Sequence, residues 1–149
     1  MSSRTSIGPE KLAEALYFVA SSGFKTAEAL SITEMAAKGA ATGMGDAQDI
    51  ADMLVSAMNA YKTSNLSASQ AMDIFTAAVR EGKIEANRFI TTIGSVLPIA
   101  SEVGVSLDQV TAAMAAMSLS GATAANAATY LRNVLQKIAD PSAEVKVLS

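Results

Sequence analysis

The chain has 149 residues, half of them hydrophobic and 17% charged, which suits one compact domain with a hydrophobic core and excludes a disordered chain. Its net charge of −3 and its scattered Lys and Arg residues argue against a nucleic-acid surface, which needs clustered basic side chains. Cysteine and histidine are absent, which excludes disulfides, thiolate zinc sites and cysteine nucleophiles, and removes the commonest general base.

The first helical hairpin is predicted from its turn residues. Much of the apolar content of the chain is alanine, the best helix former, and aromatic residues are sparse, so the composition predicts an all-α fold. The first helix begins at Gly8-Pro9, because proline suits the first helical position, and Gly23 is a left-handed stop. Thr26 is the predicted cap of a second helix that runs to about Gly39.

The second hairpin is predicted over the next stretch of the chain. Asp46 is the predicted cap of a third helix, and Ser67 with Gln70 has the spacing of a capping box ahead of a fourth, which ends at Gly82. The apolar residues of the third helix recur at the spacing of a buried stripe, namely Ile50, Met53, Leu54, Ala57, Met58 and Tyr61.

The last part of the chain continues the pattern. A fifth helix begins near Ala86, is kinked or restarted by Pro98 and ends at Gly104. Ser106 with Gln109 opens a sixth helix as a second capping box, and Gly121 closes it. A seventh helix is capped by Thr123, is stopped by Asp140-Pro141, and has a predicted buried face of Ala127, Tyr130, Leu131, Val134, Leu135 and Ile138.

The caps and the closing glycines recur about every 40 residues, with caps at Thr26, Ser67 and Ser106 and glycines at Gly39, Gly82 and Gly121. We therefore predict about seven helices, arranged as three hairpins plus a C-terminal helix, in a compact bundle or a short solenoid. Residues 9–140 are predicted to form a single helical domain. Residues 1–8 are expected to be a flexible N-terminus, and residues 141–149 a tail or the start of a following segment.

No catalytic, cofactor-binding or metal-ligating residue is predicted, and the chain is not expected to be an enzyme. Asp46, Asp49 and Asp52 favour the positive end of the third helix, an ordinary structural role. The glycines from Gly39 to Gly45 follow no strand and precede no Walker lysine, so they are a helix connection. Four methionines at helical spacing are predicted to pack in the core rather than to line a peptide groove: Met53, Met58, Met114 and Met117.

Charge is nearly absent from one long segment. Between Phe89 and Leu131 the only charged residues are Glu102 and Asp108, which favours burial on several sides and predicts self-association or contact with a neighbouring protein. The uncharged run from Gln109 to Leu131 motivates a hypothesis of membrane activity. Two short alanine-rich helices are the favoured interpretation of that run, because it has few large aliphatic side chains.

Several motifs together resemble the core of phage tail tape-measure proteins, over roughly residues 7–148. The sixth helix carries a Gly-hydrophobic-Ser cap, an alanine-rich body and a closing glycine, and the seventh continues the pattern. The segments that carry the resemblance are Val19–Phe24, Leu97–Ala100, Gly104–Val110, Ala112–Met114 with Gly121, Ala127–Leu135 and Asp140–Glu144.

The resemblance implies a structural component of a bacteriophage or prophage tail. Such proteins lie in the growing tail tube, set its length and leave ahead of the DNA, and they are made in the host cytoplasm. The implied partners are tube subunits, tail-tip proteins and tail assembly chaperones. Known members are much longer than this chain, so we expect a folded module rather than the measuring rod. The alternative hypothesis is a stand-alone helical adaptor that binds a peptide or a protein.

Overall fold

A computed structural model describes residues 8–140 of the chain, and the expectations for residues 1–7 and 141–149 lie outside this described part. Residues 8–140 contain eight α-helices, a 3-10 turn and no strand, so the all-α prediction is confirmed. The elements in order are α1 (Pro9–Ser21), α2 (Thr26–Ala41), α3 (Ala47–Ala60), the 3-10 turn (Lys62–Ser64), α4 (Ala68–Glu81), α5 (Ala86–Ile93), α6 (Leu97–Glu102), α7 (Leu107–Leu119) and α8 (Ala124–Ala139).

The eighth helix arises because Pro98 restarts the fifth predicted helix instead of kinking it. α5 ends at Ile93, and α6 begins at Leu97 with Pro98 in its first turn. Proline is tolerated there because the amide that it lacks has no partner in the first turn of a helix. The restart alternative is therefore confirmed, and the helix count is close to the predicted number.

Three helix starts have the predicted caps. Two of these starts, those of α4 and α7, have complete capping boxes, formed by Ser67 with Gln70 and by Ser106 with Gln109. In each box, each of the two side chains accepts a hydrogen bond from the backbone amide of the other residue. Thr123 caps α8 by accepting the backbone N–H three residues further on, at 3.1 Å. Each of these bonds satisfies an amide that the helix itself leaves without a partner.

Two predicted caps are wrong in detail. Thr26 is the first residue of α2, and Lys25 occupies the cap position without a side-chain bond. Asp46 does occupy the cap position of α3, but its carboxylate accepts no cap bond. That carboxylate lies instead 3.7 Å from the Lys11 ammonium, an exposed ion pair of small energetic value.

Gly39 does not close the second helix, contrary to the prediction. α2 runs on to Ala41, and the left-handed residue that follows it is Gly43, with φ of +84°. Gly39 is buried inside α2, where a Cβ atom would lie 2.8 Å from Met72 Cε and 3.0 Å from Ile50 Cδ1. A glycine is needed at this position because α3 and α4 pack closely against α2 there. The sequence near Gly39 does not reveal this packing.

The helices pack as a compact bundle. α3 contacts α1, α2, α4, α5 and α6, while α4 also packs on α7, and α8 packs on α5, α6 and α7. These contacts join each helical hairpin mainly to the next one along the chain, and a shared hydrophobic core makes the described part a compact bundle. One connected core cluster extends from Val19 in α1 to Leu135 in α8. Within this cluster the rings of Phe75 and Phe89 meet edge to face, with centroids 6.0 Å apart.

The four methionines predicted to pack in the core do so. Met53 and Met114 are buried, and Met58 and Met117 are half-buried against the same cluster. Thioether side chains fill irregular gaps well because they have several rotatable bonds. The structure therefore uses them for packing between helices.

Hydrogen bonds from side chains to distant backbone fix the end of α3. The Tyr61 hydroxyl donates to the Val105 carbonyl oxygen at 2.7 Å, and the Ser101 hydroxyl donates to the Ala60 carbonyl oxygen. Burial, and secondly the negative charge of Asp108, raises the pKa of Tyr61 to about 12. In the described part, every buried side-chain nitrogen or oxygen has a hydrogen-bond partner.

Candidate interaction surfaces

The acidic residues of the third helix lie where the sequence predicted. Asp46, Asp49 and Asp52 are exposed at the start and in the first two turns of α3. Within residues 8–140 no group of three or more acidic side chains has the arrangement of a metal site. No helix in that range has both the length and the apolar content needed to cross a membrane.

The charge-poor segment from Phe89 to Leu131 forms α5, α6, α7 and the first half of α8. The uncharged run within it forms two helices on either side of Gly121, as predicted, and that glycine has φ of +102°. The segment buries large side chains between its own helices and against α3 and α4, among them Phe89, Ile93, Leu97, Val110 and Met114. Burial inside the bundle therefore accounts for part of its low charge.

An apolar ridge runs along the outer side of α8. We use the term α8 ridge for Tyr130, Val134 and Ile138, which succeed one another at intervals of four residues and so line one side of the helix. Their exposed fractions are 60%, 53% and 56%, whereas the neighbouring Leu131 and Leu135 are buried. A contiguous exposed apolar stripe on a folded helix is typical of a contact surface.

The α8 ridge corrects the sequence interpretation. Tyr130, Val134 and Ile138 were predicted to share one buried face with Leu131 and Leu135, and for these three the prediction is wrong. α8 is the last described helix and packs mainly on α5, α6 and α7, so one edge of its apolar arc stays exposed. The sequence feature that could have indicated this exposure is the width of the apolar arc of α8. Helices that pack on one side of α8 do not cover so wide an arc.

An apolar groove lies between α1 and α2, and we call it the α1–α2 groove. Its volume is about 360 Å³, and it is lined by Leu12, Ala13, Leu16, Leu30, Thr33, Glu34 and Ala37. Leu30 is 51% exposed, while Leu12 and Leu16 are half-buried. Leu30 was not among the residues singled out from the sequence, because its role depends on how α1 crosses α2.

A second groove, of about 480 Å³, lies between α2 and α4. Met35, Met44 and Met72 line it, together with Lys38 and Arg80. Lys38 is also 3.7 Å from Glu34 on its own helix, an exposed pair with little energetic value. None of these three methionines belongs to the four predicted to be core residues, so the sequence pattern did not reveal this groove.

Comparison with known proteins gives the family. The model of the family described as phage-related minor tail protein matches residues 1–148. The chain is also similar to the tape measure protein of Pneumococcus phage Dp-1, with 25% identity over 142 residues. That alignment covers 95% of this chain but 12% of the relative, and no solved structure matches the chain. The chain belongs to the family of phage-related minor tail proteins, and its resemblance to tape-measure proteins is confirmed.

Proposed function

We propose that the chain is a folded module of a tail tape-measure protein, with a structural role in tail assembly and tail-length determination and without catalysis. The observation that carries the proposal is the family match over residues 1–148, which falls on a closely packed helical bundle. The same match favours this role over the stand-alone adaptor. The folded unit is proposed to be residues 9–140, with residues 141–149 as a tail or as the start of the following segment.

The bundle supports a module that does not itself measure length. A ruler works through its axial extent, and the longest described helices have 16 residues, which is about 24 Å. A continuous helix over residues 9–140 would extend about 200 Å, far more than a bundle whose helices fold back on one another. We therefore assign the measuring role to other parts of a longer protein.

The setting that goes with this role is the virion tail, and the host bacterial cytoplasm during assembly. The proposed partners are tube subunits, tail-tip proteins and tail assembly chaperones, and the module is proposed to leave the tail with the rest of the tape measure during genome delivery. The exposed apolar surfaces on α8 and between α1 and α2 are suitable for such protein contacts.

The test is an in-frame deletion of residues 9–140 from the tail gene of a phage that encodes this sequence. We expect a strong fall in the number of complete tails, while the tails that do form shorten by much less than 200 Å in electron micrographs. A second phage carries Phe75→Asp, which buries a charge in the core and unfolds the module without changing its length. We expect this phage to show the same fall in tail number.

A deletion of equal length in another helical stretch of the same gene is the control, and it is expected to shorten the tail in proportion. Two results would overturn the proposal. One is a normal yield of tails of normal length after deletion of residues 9–140. The other is a normal yield of tails shortened by about 200 Å, which would make the segment part of the measuring rod.

A further inference from the structure

The α8 ridge and the α1–α2 groove have similar lengths. The ridge extends about 12 Å along its helix from Tyr130 to Ile138, and the groove wall from Leu30 to Ala37 extends about 10 Å. One surface is convex and one is concave, and both are lined mainly by apolar side chains. Helix-into-groove docking uses this pairing, with anchors spaced one turn apart.

The two surfaces lie in different parts of the bundle. α1 and α2 pack mainly on each other, on α3 and on α4, whereas α8 packs on α5, α6 and α7. A chain therefore presents its ridge and its groove separately, and neither surface covers the other within the described part. Helical stacks whose end units keep an apolar face bury that face by adding another unit.

Charge favours the same pairing. α8 carries Arg132 and Lys137 and no carboxylate, whereas the chain as a whole has a net charge of −3. Glu34 lines the α1–α2 groove, 3.7 Å from Lys38 on its own helix, and α1 and α2 together carry four carboxylates and two ammonium groups. A basic helix approaching an acidic chain is steered towards it, and rim charges of this kind set orientation more than affinity.

We propose that the chain docks head to tail on a second copy of itself, with the α8 ridge of one copy seated in the α1–α2 groove of the next. The contact is heterologous, because two different surfaces meet, and so each copy keeps one free ridge and one free groove. Repetition of the contact produces a ring or an open row of modules. This docking is a property of the isolated chain and does not depend on the proposed role in the tail.

Sedimentation of the purified 149-residue chain tests the proposal. We expect an average mass that rises with concentration beyond that of a dimer. Val134→Glu in the ridge and Leu30→Glu in the groove each place a carboxylate in the apolar contact, and each is expected to weaken association about 10-fold or more. Leu119→Glu is the matched control, because Leu119 is 54% exposed, like Val134 at 53% and Leu30 at 51%, but lies on neither surface.

An equimolar mixture of the two variants is the decisive measurement. Val134→Glu keeps an intact groove and Leu30→Glu keeps an intact ridge, so the mixture is expected to form dimers of one copy each and nothing larger. Circular dichroism of each variant checks that the fold is kept. The proposal is overturned if the unmodified chain stays monomeric at high concentration, or if Leu119→Glu weakens association as much as the other two variants. It is also overturned if only the ridge variant loses association, since ridge would then pair with ridge.

Discussion

Tyr61 joins distant parts of the chain through one hydrogen bond. Its hydroxyl donates to the Val105 carbonyl at 2.7 Å, and only 7% of the residue is exposed. Burial and the charge of Asp108 oppose ionisation of the phenol, which raises the pKa of Tyr61 to about 12. The end of α3 is thereby held against the turn that leads into α7.

The stability of the fold is expected to decline at high pH through Tyr61. The pKa of this group in the folded chain lies above the ordinary value of 10.0, so the unfolded chain loses the phenol proton first as pH rises. The contribution is fully present below pH 10 and is lost as pH rises through about 12. Urea unfolding at a series of pH values measures this decline, and Tyr61→Phe is expected to remove most of it.

At neutral pH, Tyr61→Phe is expected to lower the free energy of unfolding by about 1 kcal/mol, because the Val105 carbonyl loses its donor. Tyr17→Phe is the matched control, since Tyr17 is 77% exposed and its substitution should leave stability unchanged. Equal stability of the two variants would show that the hydrogen bond contributes nothing.

Gly82 and Gly94 differ in how much space surrounds them. At Gly82 a Cβ atom would lie 2.8 Å from Ser118 Oγ and 3.1 Å from Ala115 Cα, so the residue lets α4 approach α7 closely. The next amide, of Lys83, donates to Ser118 Oγ at 2.8 Å and holds that approach. At Gly94 the backbone is helical, and the nearest atom to a Cβ would be at 3.6 Å.

Alanine is therefore expected to have opposite effects at these two positions. Gly82→Ala forces the backbone of α7 to move and should destabilise the fold by about 1–3 kcal/mol. Gly94→Ala reduces the freedom of the unfolded chain without a clash and should stabilise it by about 0.5 kcal/mol. Thermal denaturation of both variants compares them, and a destabilised Gly94→Ala would contradict the contact geometry.

At the scale of the helix, cap position and cap bond are separate properties. Ser106 at α7 accepts the Gln109 amide and donates to the Asp108 carboxylate at 2.6 Å, whereas Asp46 at α3 holds the same position without a cap bond. The side chain of Asp46 is drawn towards Lys11 in α1. Tertiary neighbours thus decide whether a good capping residue actually caps.

Removal of the two side chains should reveal this difference. Ser106→Ala is expected to lower the free energy of unfolding by about 1 kcal/mol, because an amide in the first turn of α7 loses its partner. Asp46→Ala removes only an exposed ion pair and a helix-dipole contact and should lower it by about 0.5 kcal/mol or less. Urea unfolding measures both, and a larger loss for Asp46→Ala would contradict this account.

The bundle as a whole is organised around α3, which contacts five other helices. The connected core joins α1 at one end to α8 at the other, with fully buried side chains in both halves of the chain. Because the helices share one connected core, the chain is expected to lose its packing as a unit.

Unfolding of the whole molecule is therefore expected to be one cooperative transition. Ile32→Val in the first hairpin and Ile93→Val in α5 each remove a buried methyl group, which should destabilise the fold by about 1 kcal/mol. Each substitution should lower the single melting temperature by about 4 °C. Circular dichroism and calorimetry measure this change. Two separate transitions, with each variant shifting a different one, would indicate a solenoid of independent hairpins.

Local chemistry was sufficient to predict where most helices begin and end. The capping boxes at Ser67 and Ser106, the cap at Thr123 and the left-handed glycines Gly23 and Gly121 act within a few residues, so their effect is written into adjacent sequence. The resemblance to tape-measure proteins likewise rested on contiguous segments. The helical class, most of the helix boundaries and the family therefore follow from the amino-acid sequence by itself.

Only the tertiary structure decided which apolar side chains are buried. Gly39 packs inside a helix because Met72 and Ile50 reach it from other helices. Val134 lies in an apolar stripe yet stays exposed, because no described helix covers that side of α8. Leu30 borders a groove because of the way in which α1 packs against α2. Periodicity along one helix specifies an apolar arc, but the positions of neighbouring helices determine how much of that arc is covered.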